Sequence, residues 1–139
     1  AKPGVHISYL RGNFKGWFLG KVEEPAAESV LRYARLTRPA LDDEIRAEIG
    51  VEFEQTTLTQ ICALMALQPD GQEGALLTNG WANIFYVMDV GGILRAVDIY
   101  WYAYVGGWRV LARSVGSQGR WHGDGRRFFS RNSSGPVAV

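Results

Sequence analysis

Hydrophobic patterning is densest over residues 81–115. Ile84, Phe85, Tyr86, Val87 and Met88 form one apolar run that ends at Gly91-Gly92. Residues 93–105 form a longer β-branched and aromatic run that ends at Gly106-Gly107, and residues 108–115 follow. Three antiparallel strands joined by two Gly-Gly turns are predicted, because two-residue hairpin loops need positive φ.

Counting outward from two-residue loops sets the registers. Val105 then faces Trp108, Ala103 faces Val110 and Trp101 faces Ala112, all on one apolar face. The other face pairs Tyr104 with Arg109, Tyr102 with Leu111 and Tyr100 with Arg113. In the first hairpin Tyr86 faces Val97 and Ile84 faces Ile99 on the apolar face, while Phe85 faces Asp98 on the other. A slip of one residue would exchange the faces. Tyrosine and arginine are enriched at interfaces. The face carrying Tyr100, Tyr102, Tyr104, Arg109 and Arg113 is therefore the candidate binding or homodimer surface. Two other readings are internal cation–π pairing across the strands and a surface for a small molecule.

Helical periodicity precedes the meander. Residues 25–38 are predicted helical: Pro25 suits the first position, acids cluster around it, and Arg38-Pro39 ends the run. A second helix spans 40–49, with Leu41, Ile45 and Ile49 as its stripe and Gly50 as its cap. Val51 and Phe53 alternate with acids and suggest a short edge strand. Thr57 and Gln60 fit a capping box. The helix over 58–67 is apolar nearly all round and is expected to lie across the apolar face of the meander. Cys62 falls on its main stripe and reads as packing. Ahead of the helices, Val5, Ile7 and Tyr9 suggest a strand and residues 17–22 a second, making an N-terminal hairpin or a docking arm. Beyond the meander, residues 120–122 and 126–131 suggest another hairpin around Gly123-Asp124-Gly125.

Composition adds bounds. A length of 139 residues fits a single domain: arm or hairpin 1–24, helical part 25–68, antiparallel sheet 75–132 and frayed tail 133–139. The expected fold class is α+β, with N-terminal helices packed on one face of the sheet. A formal net charge of +1 gives no bulk attraction for polyanions, although six arginines and one acid follow Val105. The lone cysteine excludes an internal disulfide. The chain has no apolar run of membrane-spanning length and no signal-peptide pattern, so a cytoplasmic protein is expected.

Few residues point to chemistry. Asp98 is the one acid inside a strongly apolar strand. It reads as a general acid or base in a sheet-lined pocket, as a structural partner of Arg113, or as a solvent-facing acid. His122 and Asp124 share a glycine-rich loop and form a candidate catalytic pair. As a metal site they lack a third and fourth ligand, so neither metal nor cofactor is expected. Arg109, Arg113, Arg120, Arg126, Arg127 and Arg131 interleave with Trp108, Trp121, Phe128 and Phe129. That mixture allows single-stranded nucleic-acid binding, which the near-neutral total charge disfavours. Phosphate-loop, nucleophile-elbow and Cys-x-x-Cys motifs are absent from the sequence.

Helices leading into a long meander with a Gly-Gly-Trp-Arg-Val turn and strand resemble the cone-shaped nuclear-transport-factor-2-like superfamily over residues 25–115. The resemblance implies a sheet curved around a pocket lined by Asp98 or Tyr100. The glycine-rich N-terminal arm and residues 120–132 depart from that pattern. The leading expectation is a small non-catalytic binding or assembly protein. The alternatives are a pocket-containing enzyme or ligand carrier using Asp98, and nucleic-acid binding through the C-terminal arginines.

Overall fold

The computed structural model describes residues 7–10, 12–18, 21, 31–116, 121 and 125–131. The expected frayed tail, the start of the helix expected from residue 25, and both His122 and Asp124 lie outside these residues.

The fold is mixed α and β around one mostly antiparallel sheet. Its strands are β1 (Ile7–Leu10), β2 (Leu31–Arg35), β3 (Gln55–Thr56), β4 (Asn83–Met88), β5 (Leu94–Tyr102), β6 (Gly107–Ser114) and β7 (Arg127–Arg131). The helices are α1 (Gly12–Phe18), α2 (Asp42–Ile49) and α3 (Leu58–Ala66). The strand order is β1-β6-β5-β4-β7-β2, with β3 off this path on β4. The predicted meander is its centre, β4-β5-β6, paired antiparallel. Among the described residues three pairings are parallel: β1 with β6, β3 with β4, and β4 with β7.

Both turns differ from the two-residue prediction. In the first, Met88 faces Leu94, Asp89 N–H donates to Ile93 at 2.8 Å, and Gly92 N–H donates to Asp89 at 3.1 Å. Residues 90–92 therefore form a three-residue loop, with Gly92 at φ +81° supplying the left-handed position. The Asp89 carboxylate closes the loop by accepting the Gly91 and Ile93 N–H groups. One extra loop residue moves the register by one, so Phe85 faces Val97 and Ile84 faces Asp98. The predicted face assignment of β4 is thus reversed. In the second turn Tyr102 faces Gly107, leaving the four residues 103–106 as the loop. This moves the register by an even number, and the faces of β5 and β6 stay as predicted. Tyr100 now faces Arg109, and Trp101 faces Trp108.

The sheet separates two cores. One holds Phe85, Val87, Val97, Ile99, Trp108 and Val110 beneath Phe18 of α1 and Ile61 and Met65 of α3. The other holds Ile84, Tyr86, Ala96 and Phe128 beneath Ile45 and Ile49 of α2. Helices therefore cover both faces, not one as expected. The sheet was too apolar on both sides for one face to lie open, and each buried Ile or Phe contributes about 1.5–3 kcal/mol.

Local signals predicted α2 and α3 well. Thr57 Oγ1 accepts the Gln60 N–H at 3.1 Å, and Gln60 Oε1 accepts the Thr57 N–H at 2.9 Å, a complete capping box. Gly50 caps α2 at φ +94°. Leu41 was expected inside but is exposed, and Asp42 is buried in its place. Residues 31–35 are strand, not helix, because β7 pairs with all five of them. Residues 51–53 form a turn, and the short strand comes two residues later as β3. Residues 12–18 are helical where the N-terminal hairpin was expected to turn and begin its return strand. The expected C-terminal hairpin is also replaced: β7 pairs with β2 and β4, and Trp121 bridges to Ala40.

Candidate functional site

The sheet face that carries Asp98 divides into two halves. In the half under α2, Asp42 is 1% exposed and accepts three hydrogen bonds. Its Oδ1 takes the Tyr86 hydroxyl at 2.6 Å and the Trp121 indole N–H at 2.9 Å, and its Oδ2 takes the Gly116 N–H at 2.6 Å. Burial first, and then the Asp42 carboxylate, push the Tyr86 phenol far above its ordinary range. Arg46 on α2 reaches Glu54 through two bonds of 3.0 and 2.9 Å, and this pairing raises its pKa.

Asp98 stands between Ile84 and Leu111 on the neighbouring strands. Its carboxylate meets Arg113 Nη2 at 3.2 Å, and the Arg113 guanidinium lies 4.8 Å from the Trp121 ring. Arg113 therefore belongs to the covered half of the face.

The second half extends toward the β5–β6 turn. The Arg109 guanidinium lies 3.6 Å from the centroid of the Tyr102 ring, and its Nη1 donates to the Tyr100 hydroxyl at 3.4 Å. The rings of Tyr102 and Tyr104 stand 5.5 Å apart. Tyr104 is 91% exposed at the turn, next to the exposed Val105. Tyr100, Tyr102, Arg109 and Leu111 are half-buried. The predicted surface set is thus brought together as Tyr100, Tyr102, Tyr104 and Arg109, with Arg113 set apart beneath Trp121.

A separate cleft lies at the opposite edge of the sheet. Arg35 and Arg127 occupy directly opposed positions of β2 and β7. With Thr37, Asn79, Trp81 and Gly125 they line a cavity of about 410 Å³. An adjoining cavity of about 350 Å³ shares Leu77, Asn79 and Arg127 and has Glu73 on its wall. Two buried amides hold the loop that forms one side. Gln68 bonds Gln72 and Leu76, and Asn83 bonds both backbone groups of Leu77. Arg127 is fixed by Nη1 bonds to the Gly74 and Ala75 carbonyls and by the Tyr33 ring 4.5 Å away. Arg126 stands 5.8 Å from the Trp81 ring.

The sequence marked Arg126 and Arg127 but not this cleft. The local pattern puts Arg35 on a helix, and only β2–β7 pairing sets it against Arg127. The signal that was present is the Asn-Gly-Trp turn at 79–81 together with the Arg-Arg pair. Among the described residues no group of three His, Cys, Asp or Glu side chains is placed to hold a metal. Among the described residues no helix is long and apolar enough to cross a membrane.

What these elements define as a class is a mixed α and β protein with a tyrosine–arginine sheet face and an arginine-lined edge cleft. No protein-family model, curated protein or solved structure matches the chain.

Proposed function

We propose that this chain is a non-catalytic binding or assembly protein that forms a symmetric homodimer through the sheet face of Tyr100, Tyr102, Tyr104 and Arg109. The observation that carries this reading is the position of Tyr104: it is 91% exposed beside a half-buried Tyr102–Arg109 stack. A two-fold interface must be self-complementary. This patch offers both an arginine and tyrosine rings, so two copies can exchange the same contacts. Tyr and Arg are also the residue types that dominate binding energy at interface centres. A role in acid–base chemistry has less support, because the Asp98 carboxylate is engaged by Arg113.

Sedimentation velocity tests the proposal. The wild-type chain is expected to sediment as a dimer, and Tyr104→Asp as a folded monomer. A wild-type chain that stays monomeric at every concentration sinks the idea. So does a dimer that survives both Tyr104→Asp and Tyr102→Ala.

A further inference from the structure

Arg35 and Arg127 face each other across an antiparallel pair. Like charges directly opposed on neighbouring strands repel and destabilise the pairing. Among the described residues, no Asp or Glu lines the cavity they share. Arg35 is exposed, with no carboxylate partner among the described residues. Arg127 spends Nη1 on two backbone carbonyls, which fixes its guanidinium plane and leaves Nη2 without a hydrogen-bond partner among the described residues. Arg126 adds a third positive charge against the Trp81 ring. A repulsive pair of guanidiniums in a concave site with no described carboxylate on its wall is an arrangement that a bound anion stabilises.

We infer that this cleft binds a small phosphate ester carried on a planar ring. The fork of Arg35 together with Nη2 of Arg127, from adjacent strands, favours phosphate over carboxylate. A single fork already occupies both oxygens of a carboxylate, whereas a phosphate offers three acceptor oxygens and a charge near −2. Thr37 and Asn79 also line the cavity, and a hydroxyl and an amide are further neutral donors. Asn79 is oriented for this, since its Oδ1 accepts the Trp81 N–H at 3.1 Å. Trp81, 39% exposed, gives a ring an indole surface to stack on. The indole packs beside Gly125, where a Cβ would lie 3.9 Å from the ring and φ is +96°. The cavity of about 410 Å³ lies in the range of small-ligand sites, about 300–1,000 Å³.

The test is titration of the full chain with adenosine 5′-monophosphate, followed by calorimetry and by the indole N–H resonances. The Trp81 resonance is identified by its loss in Trp81→Phe. Saturable binding that shifts this resonance is expected, with adenosine and inorganic phosphate each weaker. Arg35→Ala removes an exposed side chain, leaves the fold intact, and is expected to weaken the nucleotide about tenfold. No saturation at millimolar nucleotide overturns the inference. Equal affinity in Arg35→Ala and Trp81→Phe does the same. Inorganic phosphate binding as tightly as the nucleotide overturns the planar-ring requirement. A single-stranded oligonucleotide whose affinity grows with its length overturns the small-molecule assignment in favour of nucleic acid.

Discussion

Asp42 shows how much one buried carboxylate can organise. It joins α2 to Tyr86 in β4, to Trp121 and to the end of the meander at Gly116. Each buried donor left without an acceptor costs about 1–3 kcal/mol. Asp42→Ala is therefore expected to lower unfolding free energy by about 3 kcal/mol or more, and Tyr86→Phe by about 1 kcal/mol. Urea denaturation measures both, and a loss under about 0.5 kcal/mol for Asp42→Ala contradicts this account. Asp89 has a different consequence. Burial opposes its ionisation, but the N–H groups of Ile93 and Gly91 together with Arg95 outweigh burial and hold its pKa below the usual carboxylate value. A depressed folded pKa means that the stability it contributes is complete above the unfolded value of about 3.9 and is lost as pH falls through the folded one. Asp89→Asn should flatten the acid limb of the stability–pH curve in that window while leaving the neutral-to-alkaline limb unchanged in shape.

Among the elements, loops set the outcome more than strands did. The β4–β5 and β5–β6 hairpins look alike in sequence, yet one closes with three residues and the other with four. An odd change reversed a face and an even change preserved it, because side chains alternate with a period of two. Two glycines separate backbone strain from crowding. Gly92 has φ +81° and open space around a Cβ, so Gly92→Ala should cost only the left-handed backbone penalty, about 1–2 kcal/mol. Gly71 has φ +72°, and a Cβ there would lie 2.6 Å from Trp101 Cζ2. Gly71→Ala should add a clash to the same penalty and give a clearly larger drop in Tm. Equal Tm losses for the two variants would show that the loop over Trp101 yields freely.

Across the whole molecule, the sheet is covered where α1, α2 and α3 pack and carries its tyrosine–arginine patch where no described helix lies. The proposed association through that patch would link folding to assembly. The Tm of the wild-type chain should rise with protein concentration, and that of Tyr104→Asp should not. Calorimetry over a broad concentration range checks this. Two concentration-independent curves would remove the linkage.

The sequence by itself determined the central strands, the caps of α2 and α3, and which residues of β5 and β6 share a face. Those features rest on local signals: glycines beside apolar runs, Thr57 with Gln60, Gly50 after Ile49, and strict alternation. Tertiary structure decided the rest. Residues 31–35 fit a helical stripe locally and became β2 because β7, nearly a hundred residues later, offers five paired positions. The same pairing made the Arg35–Arg127 cleft, which no local pattern contains. The face of β4 was settled by one extra residue in the 90–92 loop, which the Asp89 carboxylate closes by accepting two N–H groups of the turn. Local chemistry selects an element where its own backbone satisfies its hydrogen bonds; where a distant strand must satisfy them, the choice is made in three dimensions.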